Sequence, residues 1–305
     1  MSYCTAVRFP FVIFWIAVVI LAAGPADVPV EASGNDYLSD ILTWRSEVEE
    51  KLKAEDGWLT IAGLFWLTEG KHRFGSGAEN DFVLPGSAPE VVGTFSLSGG
   101  VVSVVIDTGV QVTMDGKPVR SATLERGPKY TLSVGELDLW LHGSGERRAI
   151  RLRDPSSKLL TEFTGLKWFP VDEAYRVDAR FVPYAVPKDV EILNVFGDVV
   201  SMKSPGDLHF VVNGQDTVLQ PFSGRDGSLF IILRDETSGK ESYGAGRFMQ
   251  AEAPKDGLVE LDFNRAYNPP CAYNSYTTCP LPPKKNNLSV RIEAGEMAYK
   301  TLPTN

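Results

Sequence analysis

The apolar positions of residues 36–57 recur with the period of an α-helix. Ile41, Val48 and Leu52 fall on one face, and this spacing is typical of a helix that packs one side against a core. Ser39 is a candidate N-cap, and Gly57 is a candidate stop signal. The pattern therefore predicts one amphipathic helix at the start of the folded chain.

Beyond residue 57 the pattern changes to short apolar or alternating runs, which are typical of β-strands. Asp115-Gly116 and Asn213-Gly214 are hairpin signals between such runs. The predicted strands are Val101–Ile106, Val110–Met114, Tyr130–Val134, Leu137–His142, Ala149–Arg153, Arg176–Phe181, Val190–Phe196, Leu208–Val212, Asp216–Leu219, Leu229–Leu233 and Leu258–Phe263. We therefore expect a mainly β fold, with two β-sandwich or barrel-like lobes preceded by the N-terminal amphipathic helix.

The loop signal Pro155-Ser156-Ser157 divides the predicted strands into two groups. It suggests a helix plus first β lobe over residues 36–154 and a second β lobe over residues 155–305. Residues 1–26 form a third segment of different character.

That first segment has the pattern of an export signal. Arg8 precedes an unbroken apolar stretch from Phe9 to Gly24, and Gly24-Pro25-Ala26 provides the small residues of a cleavage zone. An uncleaved signal anchor is the alternative. Either way we expect an exported protein, periplasmic, at the cell surface or secreted, with membrane contact only through this segment if it is retained.

Composition excludes several function classes. The formal charge of −9 disfavours a nucleic-acid partner, because phosphate binding needs a basic face. There is no G-x-S-x-G motif, and the three histidines, His72, His142 and His209, are scattered. Neither serine catalysis nor a metal site is indicated. We expect no cofactor and no metal, and the sequence identifies no protein partner.

The segment from Asp262 to Leu288 is rich in proline and contains two of the three cysteines. Five prolines lie between Pro269 and Pro283, so the segment cannot be regular helix or central strand. We call residues 263–283 the proline loop. Cys271 and Cys279 have seven residues between them, and a disulfide there would contribute about 2–3 kcal/mol. A metal pair and a reactive thiol are the alternatives.

A polar group surrounds this loop and could bind a small polar or anionic ligand. Arginine recognises carboxylates and phosphates, and tyrosine combines an apolar body with a polar tip. The alternative is a structural network that satisfies the backbone of the loop. The candidate ligand-binding residues are Arg176, Tyr243, Arg247, Asp262, Asn264, Arg265, Tyr267 and Asn268.

Two classes of function follow from these residues. The first is a small-ligand-binding, accessory or structural module of the cell envelope. The second is an extracytoplasmic hydrolase that acts on a sugar-like substrate with carboxylates, for which Asp262, Glu293 and Glu296 are the candidate catalytic residues. Whether the protein is an enzyme is left open at this point.

Several motifs occur between about Trp44 and Glu296: GWLTIAGLFWLTEG, FGSGAENDFVLP, RLRDP, FTGLKWFPVDEAYRVDARFVPY, SYGAGRF, LDFNRAYNPPCAYNSYTTCPLPPKKNNL and EAGE. Together they resemble the family known as domain of unknown function 1684. The resemblance implies a single-family protein in which the cysteine-containing loop is a family feature. It implies no activity, ligand or catalytic residue.

The first lobe is also similar to the forkhead-associated sandwich, through NDFVLP and the later hairpin VQVTMDGKPVRSATL. Readers of phosphothreonine in that family use a Gly-Arg pair and a Ser-x-x-His loop. The corresponding stretch GSAPEVVGTF has neither arginine nor histidine. The resemblance therefore implies a fold and gives no support to phosphopeptide binding.

Overall fold

The computed structural model describes residues 34–299, so the predicted export signal over residues 1–26 lies outside the described residues. The described chain is mainly β, as predicted, with one long helix followed by strands in four sheets. No helix within residues 34–299 is long and apolar enough to cross a membrane.

Helix α1 spans Gly34–Lys53 and buries the predicted face. Ile41 and Leu52 are buried and Val48 is half-buried. The helix begins five residues before Ser39, so the predicted N-cap is wrong; the apolar pattern that located the helix starts only after its first turns. It ends before Gly57, where a Cβ atom would lie 2.3 Å from the carbonyl oxygen of Leu52.

The first half of the chain forms two antiparallel sheets that share one core. A six-stranded sheet has the order β1-β11-β10-β9-β6-β7, and a five-stranded sheet has the order β3-β2-β4-β5-β8. The strands are β1 (Ile61–Trp66), β2 (Gly70–Gly75), β3 (Phe82–Val83), β4 (Gly93–Ser98), β5 (Val101–Ile106), β6 (Thr113–Met114), β7 (Lys117–Pro118), β8 (Ser121–Leu124), β9 (Leu132–Val134), β10 (Leu137–Ser144) and β11 (Arg147–Arg153). Within the described chain, only the β2–β3 pair of these sheets is parallel.

Side chains from both sheets meet in the first core. Phe74 and Phe95 come from the five-stranded sheet, and Leu139 and Ile150 come from the six-stranded sheet; all four are fully buried. Apolar residues on alternate positions of each strand account for this arrangement. The predicted hairpin turn Asp115-Gly116 connects β6 to β7.

The second half contains a short helix, α2 (Lys158–Thr161), and seven strands. The four-stranded sheet has the order β14-β13-β12-β18, and the three-stranded sheet has the order β15-β16-β17. The strands are β12 (Arg176–Leu193), β13 (Val199–Val212), β14 (Gln215–Leu219), β15 (Phe222–Ser223), β16 (Leu229–Leu233), β17 (Arg247–Ala251) and β18 (Leu258–Asp262).

The strand predicted at residues 176–181 and the first four residues of the one predicted at 190–196 are parts of the single long strand β12, which ends at Leu193. Its pairing with β13 is regular up to Pro183 and resumes at Lys188. The bulge between these residues accommodates Pro187, which cannot donate to a ladder. The bulge lets the strand continue past this proline.

The second core lies between the two smaller sheets. Ala179 and Leu208 from the four-stranded sheet meet Ile231 and Met249 from the three-stranded sheet. This core and the first share no residue and lie on opposite sides of Pro155 in the sequence. A smaller apolar cluster around Leu52, Leu59 and Tyr273 brings the end of α1 against the proline loop.

Candidate functional site

A cleft of about 880 Å³ lies between α1, the strands β17 and β18, and the proline loop. The last two turns of α1 and the turn after it form one wall, and β17, β18 and the loop supply the rest. Of the candidate ligand-binding residues, Asp262, Arg265, Tyr267 and Asn268 line this cleft.

Four aromatic side chains contribute to the lining: Trp44, Trp58, Tyr267 and Tyr273. The rings of Trp44 and Tyr267 meet edge to face with centroids 6.4 Å apart. Trp58 is 40% exposed, whereas Leu59 and Ile61, which follow it, are buried. Such a surface suits a ligand with an apolar face and polar edges.

Four carboxylates also line the cleft, and two of them have no ion-pair partner within residues 34–299. Those two are Asp56 and Glu252, both of which are exposed. The other two are Asp262 and Glu260. The paired carboxylates are fixed by the protein itself, whereas Asp56 and Glu252 are available to a ligand.

The side chain of Asp262, on one wall of the cleft, is held in place by hydrogen bonds. It is 9% exposed and accepts hydrogen bonds from the hydroxyl of Tyr37 at 2.9 Å and from the backbone N–H of Asn264 at 3.0 Å. Burial and the adjacent Asp262 carboxylate raise the pKa of Tyr37. The amide of Asn264 donates in turn to the Tyr37 hydroxyl at 3.0 Å and to the carbonyl of Asp172 at 2.8 Å. These contacts tie α1 to β18.

The two arginines near this wall are committed to protein contacts. Arg265 forms ion pairs with Asp40 and, at 3.4 Å, with Asp262, and its guanidinium lies 5.5 Å from the centroid of Trp44. Arg176 pairs with Glu260 at 2.6 Å and does not line the cleft. Neither side chain is left free for an anionic ligand.

Behind the cleft, Glu296 is buried at 1% exposure and forms a second fixed point. Its carboxylate accepts hydrogen bonds from the Tyr273 hydroxyl at 2.5 Å and from the backbone and side-chain N–H groups of Asn268, both at 2.8 Å. Burial raises the pKa of Glu296 to about 7, although these hydrogen bonds act to lower it. Gly295 has φ +78° and lies against Ala266. A Cβ atom at position 295 would lie 2.5 Å from the carbonyl oxygen of Ala266.

One oxygen in this network has no protein partner. Asn268 is 2% exposed and lines the cleft, and its Nδ2 donates to Glu296 and to the carbonyl oxygen of Met297, both at 2.8 Å. These two acceptors fix which end of the amide is nitrogen. The remaining atom, Oδ1, accepts no hydrogen bond within residues 34–299. An unpaired buried acceptor is costly and rare in folded proteins.

Arg247, Tyr243 and Glu293 lie away from the cleft. Arg247 is 1% exposed and donates to Asp235 at 2.9 Å and to carbonyls at the end of the chain, and burial lowers its pKa. Tyr243 donates to the carbonyl of Cys271 at 3.0 Å. Glu293 is exposed and pairs with Arg291 at 2.6 Å. Arg247 and Tyr243 therefore stabilise the proline loop and its surroundings.

The two cysteines of the proline loop are present as thiols and lie next to each other. The backbone N–H of Cys271 donates to the sulfur of Cys279 at 3.2 Å. A hydrogen bond between the two thiols raises the pKa of Cys271 and lowers that of Cys279. The predicted disulfide stays a prediction, and this proximity is what it requires.

Among the lining residues that were not predicted, five carry an aromatic ring or a carboxylate without an ion-pair partner among residues 34–299. They are Trp44, Asp56, Trp58, Glu252 and Tyr273. Tyr273 could have been proposed, because it lies within the proline loop. The others come from α1, the turn after it and the end of β17, and no local sequence signal connects these segments.

The second half of the chain is similar to a known protein family. A family model described as protein of unknown function (DUF1684) matches residues 161–297. The chain belongs to this family. The match includes all cleft residues from Ser228 to Tyr273, whereas α1 and the first β half lie outside it. No curated protein matches the chain.

Among solved structures, the NMR structure of an uncharacterized protein of Haloarcula marismortui is 36% identical, over 45% of this chain and 78% of its own, with a TM-score of 0.39. Two structures of FHA domains are each 18% identical, with a TM-score of 0.22. One is the FHA domain of FhaA in complex with the intracellular domain of Rv3910, and each covers 30% of this chain. Their own chains are covered to 97% and 92%.

Proposed function

We propose that this DUF1684 protein is an exported binding protein that holds a small polar ligand in the cleft beside α1. The observation that carries the proposal is a cleft of about 880 Å³ that combines aromatic rings with two exposed carboxylates, Asp56 and Glu252, which have no ion-pair partner among residues 34–299. Its volume lies within the range of small-molecule sites.

The surroundings of the cleft support a preformed site. Asp262 and Glu296 are each held by several hydrogen bonds from neighbouring segments, and neither wall is a free loop. A site fixed in this way loses less conformational entropy when a ligand binds. The arginines that suggested an anionic ligand form ion pairs within the protein. We therefore propose a ligand that is neutral or positively charged.

A thermal-shift screen with sugars, amines, carboxylates, nucleotides and divalent metal ions tests this proposal. The full chain would be purified in a detergent without a sugar headgroup, because a sugar headgroup would compete for the site. A ligand at a hundredfold excess over its Kd should stabilise the protein by about 2.7 kcal/mol.

Two variants locate the binding. Trp58→Ala removes a half-exposed ring from the cleft and should reduce the shift, whereas Tyr130→Ala, in the first β half and outside the lining, should leave it unchanged. A screen without any shift, or a shift that both variants retain, would contradict a ligand site in this cleft.

A carboxylate-dependent hydrolase is the second candidate. The observation that favours it is the pKa of Glu296 of about 7, which burial produces and which suits a general acid at neutral pH. Tyr273 lies between Glu296 and the cleft, so a proton would have to pass through its hydroxyl. Turnover of aryl glycosides that is lost in both Glu296→Gln and Asp262→Asn, without loss of folding, would support it; activity retained in either variant would exclude it.

A further inference from the structure

The charges that line the cleft are unbalanced. Four carboxylates and two cationic side chains contribute to the lining. One of the cations, Arg265, is shared between Asp40 and Asp262. The other, Lys51, is exposed and pairs with Glu47 at 3.6 Å. The cleft therefore has an excess of negative charge that the described residues do not neutralise.

Asn268, a neutral polar residue of the lining, has an amide oxygen that receives no hydrogen bond from residues 34–299. Oδ1 of Asn268 is an acceptor without a partner in a residue that lines the cleft. The exposed carboxylates Asp56 and Glu252 belong to the same lining, and a ligand can satisfy these acceptors only by donating. A ligand rich in hydrogen-bond donors fits this lining better than one rich in acceptors.

Aromatic rings complete the environment. Trp58 is 40% exposed and contributes to the same lining as Asp56, two residues before it. The face of an indole ring attracts a cation, and a nearby carboxylate adds to this attraction. The lining therefore combines ring faces with carboxylates that have no ion-pair partner among residues 34–299.

We infer that the ligand of this cleft carries a protonated amino group on a body with an apolar face, and that Glu252 and Asp56 attract this group. The inference rests on the proposed function, because it names the chemical class of the ligand at the same site. The rings of Trp58 and Trp44 contact the apolar face of the ligand.

Calorimetric titration of the full chain with two matched pairs of ligands tests the inference. The first pair is the trisaccharide of glucosamine and that of N-acetylglucosamine, and the second is phenethylamine and 2-phenylethanol. Each pair differs at the amino group, and the buffer keeps the amines protonated. We expect the amine of at least one pair to bind about tenfold more tightly than its neutral partner, with an advantage that shrinks at high salt.

Matched variants separate the charge from the cleft as a whole. Glu252→Gln keeps the size of the side chain and should reduce amine affinity about two- to fivefold, the effect of one exposed carboxylate. Asp56→Asn should act similarly. Glu191→Gln, an exposed carboxylate on β12 outside the lining, should leave affinity unchanged.

The outcomes distinguish the inference from the proposed function. If the neutral partners bind as tightly as the amines, the inference is overturned and the cleft remains a ligand site. If amines bind more tightly but Glu252→Gln and Asp56→Asn have no effect, the site has been assigned to the wrong residues and the inference falls. If nothing binds in either pair, the inference also falls, and the broader screen decides on the proposed function separately.

Discussion

Replacing Glu296 by glutamine should remove a pH dependence from the stability of this protein. The carboxyl group is 1% exposed, and burial raises its pKa from 4.5 to about 7 in the folded chain. The unfolded chain therefore releases this proton at a lower pH than the folded chain does. The resulting stabilisation is complete below the unfolded pKa and is lost as the pH rises through the folded pKa.

The size of the effect follows from the two pKa values. One pH unit between them corresponds to about 1.4 kcal/mol, so the whole loss amounts to about 3 kcal/mol. Most of it, about 2.5 kcal/mol, falls between about pH 5 and about pH 8. This is a substantial part of the stability of an ordinary domain, which is about 5–15 kcal/mol.

The assay is urea denaturation of the wild type, Glu296→Gln and Glu293→Gln at both pH values. Glutamine places an N–H group near the donating amide of Asn268, so we expect Glu296→Gln to be less stable at either pH. The informative quantity is the change between the two pH values. It should be about 2.5 kcal/mol smaller in Glu296→Gln than in the wild type.

Glu293→Gln is the matched control, because it makes the same substitution at an exposed carboxylate three residues away. It should retain the pH dependence of the wild type. If Glu296→Gln instead loses as much stability between the two pH values as the wild type does, then Glu296 is ionised in the folded protein well below neutral pH. The argument from burial would then be refuted.

Three further predictions concern residues outside the cleft. Arg247→Met should destabilise the protein by about 3–5 kcal/mol, because it leaves Asp235 buried without its ion-pair partner. Urea denaturation measures this loss of stability, and a loss below about 1 kcal/mol would contradict the prediction. Hydrogen bonding from Arg147 lowers the pKa of Asp198 to about 2. Arg147→Ala should therefore raise this pKa towards the usual value in an NMR titration. An unchanged titration would show that the other contacts of Asp198 are enough to keep its pKa low. Thiol labelling of unreduced protein purified from its native compartment should find both cysteines of the proline loop blocked in a disulfide, and two labelled thiols there would exclude it.

Local patterns in the sequence predicted the class of fold and many of its elements. The limits of β5 and β16 agree with the strands predicted at Val101–Ile106 and Leu229–Leu233. The turn at Asn213-Gly214 joins β13 to β14, with both residues at positive φ. These features depend on neighbouring residues, so a reading of adjacent positions is sufficient to find them.

The candidate site was only partly predictable for a related reason. The proline loop could be recognised, because proline and cysteine restrict the chain locally, and Asp262 and Asn268 within or beside it do line the cleft. The sequence could not show that Arg247 is buried against Asp235. Charge and residue type are visible in a sequence, whereas burial depends on what packs around a side chain.

The sequence by itself determined a mainly β chain with one amphipathic helix and a stiff, proline-rich loop, because periodicity, turn residues and proline act over a few positions. Only the tertiary structure decided where the cleft lies, because α1 and the proline loop are more than two hundred residues apart and meet through contacts such as the one between Tyr37 and Asn264. The same packing excludes water from Glu296 and leaves Oδ1 of Asn268 without a partner. Desolvation is a property of the assembled fold, and it is what gives these two ordinary residues their unusual chemistry.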